Sequence, residues 1–235
     1  MANPSGPVVF RPAAERFHSS LDWLNSWHTF SFASHHHPDW MGFGPLRVIN
    51  DDTIEAGRGF GLHPHREMEI ITVMVNGEIT HRDSMGHAEP LRAGEVQRMS
   101  AGTGLLHSEI NEGSAPCRLL QIWIDPSSSG QPPSYEQKPF VLSSDWKLLI
   151  DPECRHGAVG VNGRVRLWRA QPPAGKPLPF QLGEGTHGWI QMIDGLGQAD
   201  DHPLEPGDGL GFAAGDVEQF TAGPGGADLL LFELG

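Results

Sequence analysis

A chain of 235 residues with 38% hydrophobic content can bury a core as one large β domain or two small ones. Its formal net charge of −13 opposes a phosphate backbone and excludes nucleic acid as a direct ligand. Cys117 and Cys154 form no CxxC and no apolar run approaches the roughly 18 residues of a spanning helix, so neither a disulfide framework, a zinc–thiolate site nor a membrane partner is expected, and a reduced, cytoplasmic setting fits.

With 30 glycines and 20 prolines, the chain reads as many short strands joined by turns. Residues 1–45 mix aromatic and turn residues, which predicts an arm with short strands and one helical turn near Leu21 to Trp27. From Leu46 the pattern changes to β runs at 46–49, 68–75 and 78–82. Asn76-Gly77 marks a hairpin, since both residues tolerate positive φ. Further strands are expected at 96–99 and 118–124. The segment PSSSGQPPSYEQKP (126–139) lacks apolar periodicity and reads as a connector.

Beyond it lies a faint echo of the first half. Aligning Gly195 with Gly77 puts Gln181 and Gly183 where His63 and His65 stand, and His187 where Glu69 stands. Aligning Gly207 with Gly94 puts Phe220 opposite His107. The scaffold is repeated without its ligands, which predicts two domains rather than one jelly roll with a long β extension.

The chemistry lies between Gly57 and Asn111. Successive side chains of a strand face opposite ways, so His63 and His65 share one face, as do His107 and Glu109. Two such strands side by side offer three imidazoles and a carboxylate to a single ion. That donor set suits iron, manganese, nickel, copper or zinc, and the absence of thiolate argues against a sulfur-ligated cluster. Four ligands leave two positions of a six-coordinate ion open, enough for a bidentate organic substrate, or for one substrate oxygen and dioxygen.

Gly57-x5-His63-x-His65-x3-Glu69, followed by Gly77, resembles the first cupin motif, and Gly94 to Asn111 resembles the second. Ser100-Ala101-Gly102 stands where cupins usually have Pro-x-Gly, a departure found in the pirin branch. HPHREMEIITVMVNGEITHRDSMG (63–86), MSAGTGLLHSEIN (99–111) and MGFGPLRVINDD (41–52) are similar to pirin sequence, and WLNSWHTFSFASHHHPDWMGFG (23–44) and YEQKPF (135–140) to the short bacterial pirins. The resemblance is dense from about residue 7 to residue 140.

It implies an all-β bicupin of two packed jelly-roll barrels: a metal-binding domain over 1–127, the connector at 128–140 and a degenerate cupin over 141–235. It also implies His63, His65, His107 and Glu109 as ligands of one divalent metal, Fe(II) first, with Mn, Ni, Cu or Zn as alternatives. The implied reaction is dioxygenase opening of the heterocyclic ring of quercetin or a related flavonol, with release of carbon monoxide. Glu109 or Glu69 would take the proton of the 3-hydroxyl; Glu69, placed by parity on the His65 face, could instead orient an imidazole. The competing reading is a redox-sensitive pirin that binds metal and regulates a protein partner by contact. A bicupin can satisfy its sheet edges within one chain, so a monomer is expected.

Other residues have simpler readings. His35-His36-His37 cannot all face one ion on a strand and reads as a solvated loop near the pocket mouth. His81 and Asp83 share a strand face, as pocket lining or as a hydrogen-bonded pair. Trp123 and Trp189 read as core or interface packing. Phe30, Phe32, Phe43 and Phe60 are candidate aromatic lining.

Overall fold

Residues 8–235 are described in this computed structural model of the chain. The first half contains β1 (Val9–Arg11), β2 (Phe17–Ser20), β3 (Leu24–His28), β4 (Leu46–Ile54), β5 (Gly59–His65), β6 (Glu69–Asn76), β7 (Glu78–Asp83), β8 (Ala88–Arg92), β9 (Glu95–Ser100), β10 (Leu105–Ile110) and β11 (Cys117–Ile124). Then follow β12 (Ser134–Pro139), β13 (Lys147–Ile150), β14 (Val165–Ala170), β15 (Pro177–Pro179), β16 (His187–Ala199), β17 (His202–Leu204), β18 (Gly209–Ala213) and β19 (Gln219–Leu234). Among the described residues the helical segments are single 3-10 turns, and no helix is long and apolar enough to cross a membrane.

The strands form two β-barrels, as the repeat implied. In the first, a sheet in the order β12-β9-β6-β11-β4-β3-β2 faces a smaller sheet, β5-β10-β7-β8. In the second, one bent sheet runs β1-β18-β16-β19-β14-β13, with β15 and β17 on the long strands β19 and β16. Each barrel borrows an edge strand from beyond its own stretch of chain. β1 pairs with β18 of the second barrel, and β12, drawn from the Pro- and Ser-rich connector, pairs with β9 of the first. Covering those edges removes unpaired backbone that would otherwise invite a foreign strand.

In place of the helical turn expected near Leu21 to Trp27, the chain bends at Asp22 and Trp23 and β3 begins at Leu24. Leu24, Ser26 and His28 are buried on alternate positions, and the backbone pairs with β2 and β4. Pairing partners far along the chain, which local propensity does not register, decide the conformation there.

The largest core lies between the barrels. Ile49, Ile71, Val73 and Ile122 of the first pack against Leu167, Trp189, Leu230 and Phe232 of the second, with Phe30 and Phe43 between them. β6 and β11 are therefore buried on both faces and read as continuous apolar runs rather than alternating ones. Burying both faces frees their inner surface to carry polar groups toward the opposite sheet.

Candidate metal centre

The candidate ligands sit on the inner face of the small sheet. β5 and β10 pair with His107 opposite His63 and Leu105 opposite His65; the register then shifts, so that Glu109 opposes Phe60. Gly59 makes the close approach possible, because a Cβ there would lie 2.2 Å from the Glu109 carbonyl oxygen. On the other side of β10, His107 opposes Asp83 and Glu109 opposes His81. Four imidazoles and two carboxylates thus project from one face.

They converge. One ring nitrogen from each of His63, His65 and His107 lies within 4.8 Å of the others, and so do a ring nitrogen from each of His81 and His107 and a carboxylate oxygen of Glu109, so His107 belongs to both groups. His107 and Glu109 are 1% exposed; His63 and His65 are half-buried, which puts the open side of the cluster there.

Hydrogen bonds orient the rings. His63 Nδ1 donates to the Gly61 carbonyl at 2.7 Å, leaving Nε2 as a lone pair. His81 Nε2 donates to Asp83 Oδ2 at 3.1 Å, so its Nδ1 is free to accept from His107 Nδ1 at 3.5 Å, and that leaves His107 Nε2 as a second lone pair. Asp83 also accepts from His87 Nδ1 and from the backbone N–H groups of Met85 and His87. Burial opposes its ionisation, but the bonds from His81 and His87 outweigh that and hold it below the ordinary carboxylate range. Tyr135, from β12, stacks on both His81 and His87 at 4.7 Å.

The chemistry of this donor set fits a bound cation. His63 Nε2 and His107 Nε2 face each other at 3.0 Å, a repulsive arrangement for two lone pairs alone. Both can reach one ion at ordinary nitrogen–metal distances of about 2.0–2.1 Å. His65 Nε2 is buried with no hydrogen-bond partner. Burial, followed by the neighbouring imidazoles, lowers His65 to about 4 and His107 to about 3, so both rings are neutral at pH 7 and keep the lone pairs a metal needs.

The large sheet supplies the opposite wall. Thr72 Oγ1 on β6 and Gln121 Nε2 on β11 donate to Glu109 at 3.4 and 2.6 Å and fix its orientation. Trp123 Nε1 donates to Gln121 Oε1, and the indole meets His65 edge-on at 4.9 Å. Phe32 meets Trp123 edge-on in turn, and Phe60 lies 6.5 Å from His63.

Glu69 is not brought to the cluster. Thr72 faces Glu109, whereas Glu69 shares the other face of β6 with Ile71 and Val73; its carboxylate accepts from Ser100 Oγ at 2.7 Å and from the Asn162 N–H at 3.2 Å. Parity counted from His65 fails because residues 66–68 lie outside the strands and Glu67 has φ +49°. Phe30 and Phe43 also leave the site for the inter-barrel core, where both pack on Trp189. His35 is not simply solvated: its Nε2 lies 3.0 Å from Ser19 Oγ, while His36 and His37 are exposed.

Thr72, Gln121 and Trp123 were missed as site residues, since Trp123 read as packing and the other two sit inside apolar runs. Alternation along β11 puts Gln121 and Trp123 on one face, but only the tertiary pairing shows that this face meets Glu109.

Family comparisons agree with this architecture. Residues 10–124 match the Pirin family model, and residues 148–234 match the quercetinase C-terminal cupin domain. A protein of Escherichia coli named quercetin 2,3-dioxygenase is 46% identical over 189 residues, 80% of this chain and 82% of its own. A pirin-like protein of Caulobacter vibrioides is 37% identical over 210 residues, 85% of this chain and 88% of its own. The crystal structure of the bacterial pirin YhhW of Escherichia coli in complex with nickel(II) superposes with a TM-score of 0.92 at 41% identity, over 97% of this chain and 98% of that one. The chain belongs to the pirin family of bicupins.

Proposed function

We propose that the protein is a metal-dependent dioxygenase that opens the heterocyclic ring of quercetin or a related flavonol and releases carbon monoxide. The observation that carries this reading is the buried, partnerless Nε2 of His65 beside the paired Nε2 atoms of His63 and His107. His63, His65, His107 and Glu109 would hold one ion, with Fe(II) as the working choice and nickel next, after the relative solved with that metal. Bound there, the metal supplies Lewis acidity toward a substrate hydroxyl and a common site for substrate and dioxygen.

The protein's own groups do the rest. Phe32, Phe60 and Trp123 offer faces and edges to a flat polycyclic substrate on the open side of the cluster. Glu109, changing from ligand to proton acceptor, would take the 3-hydroxyl proton on the carboxylate that Gln121 and Thr72 orient. His81 and Asp83 keep His107 in the tautomer that presents Nε2.

The test is anaerobic reconstitution with Fe(II), Mn(II), Ni(II), Cu(II) and Zn(II), followed by quercetin depletion and carbon monoxide detection in air. Metal-dependent turnover is expected, lost in the His63→Ala/His107→Ala double variant and reduced about 100-fold or more in Glu109→Gln. Glu69→Gln should keep its turnover, because its side chain lies on the far face of β6. Stoichiometric metal uptake with no turnover by any ion would sink the proposal.

A further inference from the structure

We propose that the second barrel carries a binding site of its own, for small aromatic carboxylates. A cavity of about 540 Å³ opens there, lined by Trp146, Lys147, Arg155, Arg166, Trp168 and Gln181, with Asp151 and Glu233 among them. That volume lies within the range of small-ligand sites, about 300–1,000 Å³.

Its polar groups are unbalanced toward donors. Lys147, Arg155 and Arg166 meet two carboxylates of the lining, Asp151 and Glu233, and Arg155 lies 3.6 Å from a third, Glu153; both lining carboxylates are engaged. Asp151 accepts from the Glu153 N–H and from Arg155 Nε; Glu233 accepts from the Gly183 N–H and from Arg166 at 2.8 Å. Two buried donors of the lining remain without a hydrogen bond, Trp146 Nε1 and Arg166 Nε, the latter 3.7 Å from Asp151. Buried donors without acceptors are costly and uncommon. A carboxylate supplies acceptors suited to a guanidinium fork, and two indole walls suit a flat ring.

The position in the fold supports the assignment. Arg166 opposes Glu233 across β14 and β19 as Val48 opposes Trp123 across β4 and β11. The internal repeat puts Gln181 where His63 stands. The cavity is therefore the second barrel's counterpart of the mouth beside the metal centre. At the position equivalent to His107, Phe220 is fully buried in the second barrel's core. Recognition there would rest on guanidinium and indole groups in place of a metal.

The test uses the full chain carrying His63→Ala/His107→Ala, so that a carboxylate cannot be held through a metal in the first barrel. Benzoate is titrated by calorimetry and by the indole N–H signals of Trp146 and Trp168. Saturable binding is expected, with a dissociation constant on the order of 1 mM for so small a ligand. Trp146→Phe keeps the ring and removes the partnerless N–H, and Arg155→Gln alters a partly exposed rim residue; each should weaken binding about tenfold while the folded state persists. Benzamide, which lacks the charge, and acetate, which lacks the ring, should bind at least about tenfold more weakly. Failure of benzoate to shift either indole signal, wild-type affinity in both variants, or equal binding of benzamide would overturn the proposal.

Discussion

At the scale of single residues, the candidate centre depends on groups that would not touch a bound ion. Gln121 donates to Glu109 at 2.6 Å from the facing sheet. Gln121→Leu should leave the fold intact and lower metal affinity by about 10- to 100-fold, read by competition with a chelating dye. Asp52 carries a different consequence. Burial pushes its carboxyl up to about 7, helped by the charges of Asp51 and Glu109 and opposed by the hydroxyl of Ser26, which donates to it. The folded chain thus holds Asp52 protonated where the unfolded chain has ionised it. Its stabilising contribution is complete below about pH 4 and is lost as pH rises through about 7. Asp52→Asn stays neutral throughout. Urea unfolding from pH 4 to 8 should show the variant's stability rising relative to wild type across that window, by roughly a few kcal/mol in all.

At the scale of elements, the turn at Asn76-Gly77, which carries the chain from β6 of the large sheet to β7 of the small one, and the β5–β10 pair set the geometry. Gly77 has φ +72°, and a Cβ there would lie 2.8 Å from that of Cys117. Gly77→Ala therefore meets both backbone strain and a contact with β11, and should cost about 1–3 kcal/mol, measured by denaturant midpoint. The turn was legible from Asn76-Gly77, because turn chemistry is local, but the hairpin expected there does not form: β6 pairs with β9 and β11 and β7 with β8 and β10, in separate sheets. The site strands were legible for the same reason: side chains two apart share a face wherever the strand is regular. Glu69 shows where the rule ends. The count from His65 crosses three residues outside the strands, and the side chain emerges on the opposite face.

At the scale of the whole molecule, the two barrels are held as one unit. Arg169, 1% exposed, makes two hydrogen bonds to Asp228 within the second barrel and a third, at 2.9 Å, to the Met74 carbonyl of the first. Arg118 bonds to Asp51 in its own barrel and to Asp194 in the other. Arg169→Met would strand Asp228 without its main partner and should destabilise the chain by about 3–5 kcal/mol. Thermal unfolding should be a single transition by both far-ultraviolet circular dichroism and tryptophan fluorescence, because separation exposes the shared core and removes each barrel's borrowed edge strand.

The sequence by itself determined what depends on neighbours along the chain: strand-rich architecture from turn residues, the repeat from its spacing, and the shared face of His63 with His65 and of His107 with Glu109 from alternation within two motifs. Only the tertiary structure decided what depends on distant partners. It took β1 into the second barrel and β12 into the first, carried Phe30 and Phe43 into the inter-barrel core, and set Thr72, Gln121 and Trp123 opposite the cluster. It also joined His81 and Asp83 to His107 through the β7–β10 register. The physical reason is that strand pairing and sheet packing are long-range. A residue's face follows from its own strand, but what that face meets follows from which strands the whole chain brings alongside.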